Sequence, residues 1–191
     1  MSLFSMFRSS RNSKHVELRD VKAGNDVIVG DKLTILPAPS QMDMLSKKFT
    51  EEKNKNITTT KIINELNHYC TDKSEARELS NILSEAGFDY LIKNAEELKE
   101  LISMLIIEYQ HYKSAQKMIT FLLAEVESIF NCKIKSQLRS VEEENQIKVI
   151  FRNYLEGEIQ AHLGENVLEI FNRQIHGMVF FLTGNSHLEW R

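Results

Sequence analysis

Residues 95–130, AEELKELISMLIIEYQHYKSAQKMITFLLAEVESIF, contain neither glycine nor proline. Nothing in this run releases or blocks the helical backbone, so it predicts one uninterrupted helix. At 1.5 Å per residue that helix would extend about 50 Å. Its apolar residues occupy more than one face, as the central helix of a bundle requires. The rest of the chain shares the bias, with only 7 Gly and 2 Pro among 191 residues.

The flanking segments carry further helical signals. Ile62, Ile63, Leu66 and Cys70 recur at helix spacing. Asp72 with Glu75 suits a capping box ahead of Leu79, Ile82, Leu83 and Ala86, and Gly87 suits the C′ position. Asn94 with Glu97 repeats the box. Ser140 with Glu143 is a third, and Glu142, Glu143 and Glu144 stand where the helix dipole favours acids. Ile147, Ile150, Phe151, Tyr154, Leu155 and Ile159 form a buried stripe that Gly164 ends. A last helix is expected over Val167, Leu168, Phe171 and Ile175, stopped by Gly177. The following MVFFLTG, residues 178–184, fits either a strand or one more buried helical turn.

Before these helices the pattern changes. Val16 and Leu18 alternate with Glu17 and Arg19, Val27-Ile28-Val29 is β-branched throughout, and Leu33-Thr34-Ile35 follows a Gly30-Asp31 turn signal. Pro37 and Pro39 end this stretch, since neither can donate to a ladder. The fold class expected is mainly α, an irregular helical bundle of about five or six helices with a short N-terminal β ribbon. The domain reading is a flexible arm at 1–15, the ribbon at 16–36, a linker at 37–58 and the bundle at 59–191. Within the linker, Met42, Leu45 and Phe49 have weak helical spacing.

Short strands cannot hold themselves together in water and need a partner surface. Val16, Leu18, Val27, Ile28, Val29, Leu33 and Ile35 are therefore the candidate interaction residues. Residues 24–35, GNDVIVGDKLTI, resemble the short Gly-Asp-rich β elements that precede effector or NTPase modules in prokaryotic conflict and phage-defence proteins. The resemblance implies a small accessory or adaptor component and carries over no functional residue.

Leu3, Phe4 and Phe7 precede Arg8 and Arg11 with no acid among them, an order that suits an anionic lipid surface. The helical part differs in charge. Residues 61–191 carry 14 Lys/Arg against 20 Asp/Glu, a net −6. Nucleic acid is not an expected partner, because phosphate binding depends on Lys and Arg. No apolar run approaches the ~18 residues of a membrane span. Cys70 and Cys132 form no framework and read as free thiols of a reducing cytoplasm.

Glu65-x-x-His68 and Glu108-x-x-His111 each place a carboxylate and an imidazole on one helix face, the spacing used in di-metal bundles. Glu108 shares the stripe of Leu101, Leu105 and Tyr112 and is expected to be partly buried. Arg11 and His15 fall in the arm, and Arg173 and His176 are too close together for the Arg–His pair of helical ribonucleases, so RNA cleavage is not expected. No phosphate loop, dinucleotide fingerprint or hydrolase elbow is present. No cofactor is expected. The leading reading is a non-enzymatic protein that self-associates or docks a larger partner through the ribbon and the helical surface. The second is a membrane-associated effector or adaptor using residues 3–14, peripheral at the membrane from the cytoplasm. The third is a metal-dependent enzyme built on Glu65, His68, Glu108 and His111.

Overall fold

The computed structural model describes residues 38–71 and 78–191. The arm, the ribbon and the Asp72/Glu75 box lie outside the described residues. Helix α1, Gln41–Asn54, opens with a capping box in which Ser40 Oγ accepts from Asp43 N at 3.1 Å and Asp43 accepts from Ser40 N at 3.0 Å. The Ser40 hydroxyl, donating to Asp43 Oδ2 at 2.8 Å, and then the Ser40 N–H hold the Asp43 carboxyl below the usual carboxylate range. Met42 and Phe49 are buried, so the segment expected as a linker or weak helix is a helix of the core. The compact unit accordingly begins at Pro39.

Helices α2 (Asn64–Cys70), α3 (Leu79–Ala86), α4 (Ile92–Tyr109) and α5 (Lys113–Ile129) follow. Gly87 ends α3 at φ 83°, in the left-handed region that suits glycine at this position. Asn94 does not cap a helix. A 3-10 turn at Asp89–Leu91 runs straight into α4, so Asn94 lies inside it.

The expected single long helix is two helices. Its break at Gln110–Tyr112 carries no glycine or proline. The carbonyls there have found partners elsewhere in the chain. Gln116 Nε2 donates to Gln110 O and, at 3.0 Å, to Lys61 O, while Gln116 Oε1 accepts from Ile63 N at 2.7 Å. Thr59 N donates to His111 O at 2.8 Å. An extended strap, residues 59–63, is thereby fastened across the α4–α5 corner by one fully buried glutamine.

After α5 the chain continues through a π turn, Phe130–Ile134, and a 3-10 turn, Leu138–Ser140. Ser140 lies in that turn, so α6, Glu144–Phe151, starts three residues later than the Ser140/Glu143 box implies. Gln146 Oε1 reaches back to accept from Glu143 N at 3.1 Å. A second π turn, Arg152–Glu156, joins α6 to α7, Gly157–His162.

Residues 163–171 form a loop, although Val167, Leu168 and Phe171 have helical spacing. Gly164, Asn166 and Glu169 all adopt positive φ, which a right-handed helix forbids. The Asn166 side chain closes the loop by bonding both N and O of Ile170 at 2.9 Å, leaving Leu168 and Ile170 buried.

The last helix, α8, spans Asn172–Gly184. Gly177 does not stop it, and MVFFLTG is its buried second half. A Cβ at Gly177 would stand 2.7 Å from Leu98 O and 2.9 Å from Ile102 Cγ1, so this glycine is where α8 meets the backbone of α4. The following segment folds back on the helix. Trp190 Nε1 donates to Thr183 Oγ1 at 2.9 Å, and the Trp190 ring stacks on Phe180 with 5.9 Å between centroids. The architecture is a mainly helical bundle. Among the described residues there is no strand, and no helix is long and apolar enough to cross a membrane.

Two outcomes follow from this packing. Gly177→Ala is expected to destabilise the fold by about 1–3 kcal/mol, because the methyl group meets a backbone carbonyl, and urea unfolding measures this directly. Gln116→Leu is expected to cost about 1–3 kcal/mol by stripping partners from three part-buried backbone groups. Hydrogen exchange should then speed up at the Ile63 amide.

Candidate functional site

The bundle leaves one helix face conspicuously apolar and open. Ala95, Leu98, Ile102, Leu105 and Ile106 of α4 point into the core. Met104 and Ile107, on the opposite side, are 60% and 61% exposed. They are three residues apart and so lie one above the other. On the same outward stripe, towards the helix N-terminus, stand the exposed Glu96 and Glu100. Exposed Lys93 opens that stripe, so its first half sets two carboxylates against one ammonium and its second half is apolar. Single exposed apolar residues are ordinary; here two stand stacked on a helix whose other side is buried in the core.

A second constellation joins α7 to α8. Glu156, at the end of the π turn, accepts from Asn172 Nδ2 at 2.6 Å and pairs with His176 Nε2 at 2.9 Å. Asn172 Oδ1 in turn accepts from Gln160 Nε2 at 2.5 Å. The His176 and Glu156 side chains are only 21% and 16% exposed, and the Phe151 ring stands edge-on to the imidazole at 5.1 Å. The π turn inserts one residue more per turn and re-aims Glu156 towards α8. Chemically the arrangement is a carboxylate orienting an imidazole, and mechanically it is a polar lock between two helices. The sequence signal was a matched pair of four-residue spacings, Glu156–Gln160 and Asn172–His176, on helices otherwise read only for their apolar stripes. Arg173 turns instead towards Glu97, at 3.9 Å.

The residues singled out for metal binding do not converge. Glu65 and His68 are exposed on α2, and the His68 ring packs against Tyr69 and His187, at 5.3 and 4.9 Å between centroids. His111 Nδ1 lies 3.3 Å from Thr59 O at the α4–α5 corner. Glu108 is exposed rather than partly buried, because the inward face of α4 is centred on Ile102, Leu105 and Ile106. Among the described residues, no group of three or more His, Cys, Asp or Glu is placed to hold a metal ion. Cys70 and Cys132 are free thiols, and burial pushes the Cys70 thiol up. Every ribbon and arm candidate, from Leu3 to Ile35, lies outside the described residues.

Burial lowers the His176 pKa below its usual 6.5; Lys148 acts in the same direction, and the Glu156 carboxylate opposes both. The folded state therefore favours neutral His176. Its contribution to stability is complete above the unfolded pKa of about 6.5 and is lost as pH falls through the lower folded value. Melting temperatures from pH 7.5 to 5 should decline more steeply for the wild type than for His176→Gln. Parallel profiles would remove His176 as the group responsible.

A family model, C-terminal domain 9 of the ABC-three component (ABC-3C) systems, matches residues 78–190, more than half of the chain. No curated protein and no solved structure matches. The matched segment runs from the start of α3 to Trp190 and so contains the α4 face and the Glu156–His176 lock, while the ribbon lies outside it. These three-component systems are prokaryotic and defence-related, the class that the resemblance of residues 24–35 implied on other residues. The chain belongs to the family of C-terminal domain 9 of the ABC-three component systems, a component of a prokaryotic defence system.

Proposed function

We propose that the chain is a non-enzymatic interaction component that docks another protein of its three-component system through the outer face of α4. The observation that carries this reading is the stacked, exposed pair Met104 and Ile107 within the family-matched bundle. Burying two such side chains in a partner groove contributes about 1.5–3 kcal/mol each, a large share of a micromolar contact. Residues 16–36 supply a second contact in this reading, through Val16, Leu18, Val27, Ile28, Val29, Leu33 and Ile35, on the strength of their sequence pattern.

Co-expression of the full chain with the other components of its system tests the reading. The wild type should retain at least one of them through size exclusion. Met104→Glu with Ile107→Glu should lose it while keeping the wild-type melting temperature, since both positions face solvent. If the wild type retains no component, the interaction reading is wrong.

A further inference from the structure

We propose that the α4 face receives an amphipathic, lysine- or arginine-bearing segment of the partner protein, its cations over Glu78, Glu96 and Glu100 and its apolar side chains over Met104 and Ile107. This rests on the interaction reading above and adds the chemistry of the partner.

An open recess of about 450 Å³ lies between the start of α3 and the first half of α4, lined by Glu78, Leu79, Ser80, Glu96, Lys99 and Glu100. Three carboxylates thus face it against a single ammonium among the described lining residues. Lys99 leans towards α8, where its Nζ comes within 2.7 Å of the position a Cβ on Gly184 would take. Among the described residues none of the three carboxylates is in an ion pair, whereas the neighbouring Glu97 faces Arg173. Met104 follows Glu100 by one helical turn and Ile107 by about two, roughly 6 and 10 Å along the axis. The recess and the apolar pair are therefore one continuous surface, acidic at one end and apolar at the other. A segment that covers it needs cations at one end and apolar residues one to three helical turns away.

Charge selects this occupant over the others. A second copy docking through its helical bundle would bring an acidic body, net −6 over residues 61–191, against the same carboxylates. Anionic lipid and nucleic acid would be repelled by them for the same reason. A basic amphipathic segment alone satisfies both halves of the face.

The test uses the full chain and the co-purified partner component, with affinity measured at 50 and 300 mM NaCl. Wild-type binding should weaken as salt rises. Glu96→Gln with Glu100→Gln should weaken it about tenfold at low salt and flatten the salt dependence, and Glu96→Lys with Glu100→Lys should weaken it further. Met104→Ser with Ile107→Ser should weaken binding by a similar factor at both salt concentrations. Melting curves confirm that each variant is folded. Binding that depends on Met104 and Ile107 but ignores salt and both glutamate pairs would overturn this inference and leave the interaction reading standing. A dimer, or sedimentation with anionic vesicles, abolished by the Met104/Ile107 variant would assign the face to another occupant and also overturn it. Failure of the wild type to bind any component would remove the interaction reading itself.

Discussion

The contact of α8 with α4 at Gly177 fixes the rest of the bundle. The absence of a side chain there lets two helices approach to backbone distance. Once α8 lies that close, its second half, from Met178 to Gly184, is buried along its whole length. Thr183 and Phe180 then hold the returning Trp190, which also meets Phe88 and Phe130 edge-on or tilted. With α8, α3 and α5 taking its inner side, α4 has only its outer side left to offer. The functional reading of Met104 and Ile107 is thus a consequence of where one glycine sits.

That glycine is also where reading the sequence misleads. As a local signal Gly177 stops a helix; as a packing element it admits one. Gly87, by contrast, does what its local chemistry says, because nothing presses on it strongly enough to override its preference. The same division holds elsewhere. The stripes of α3 and α6 were legible from spacing alone, since each is short and amphipathic. The break at Gln110–Tyr112 was not, because it depends on a side chain six residues on, Gln116, and on Thr59, which reaches the His111 carbonyl from across the fold. The loop after Gly164 was missed for a related reason. Asn166 and Glu169 accept positive φ only because the Asn166 side chain closes on Ile170.

The two polar groupings differ in the same way. The Glu-x-x-His spacing selects side chains that share a face and says nothing about which way that face points; on α2 and at the end of α4 it points outward. The Glu156–His176 lock needs two helices and a π turn to come together, and no motif on one helix announces it. Its members are nevertheless spaced four apart on each helix, so the pattern is readable once the pairing of α7 with α8 is known.

The match to C-terminal domain 9 begins at α3, yet the first turn of α5 is completed from outside it. Glu52 of α1, 6% exposed, accepts from Ser114 N at 3.1 Å and from the Ser114 hydroxyl, acting as a helix cap supplied from 62 residues away. Met42 and Phe49 of the same helix fill the core beside it. The boundary that sequence similarity draws at Glu78 therefore runs through the middle of a folding unit. The matched length and the length that packs as one core are thus different, and α1 belongs to the second without belonging to the first.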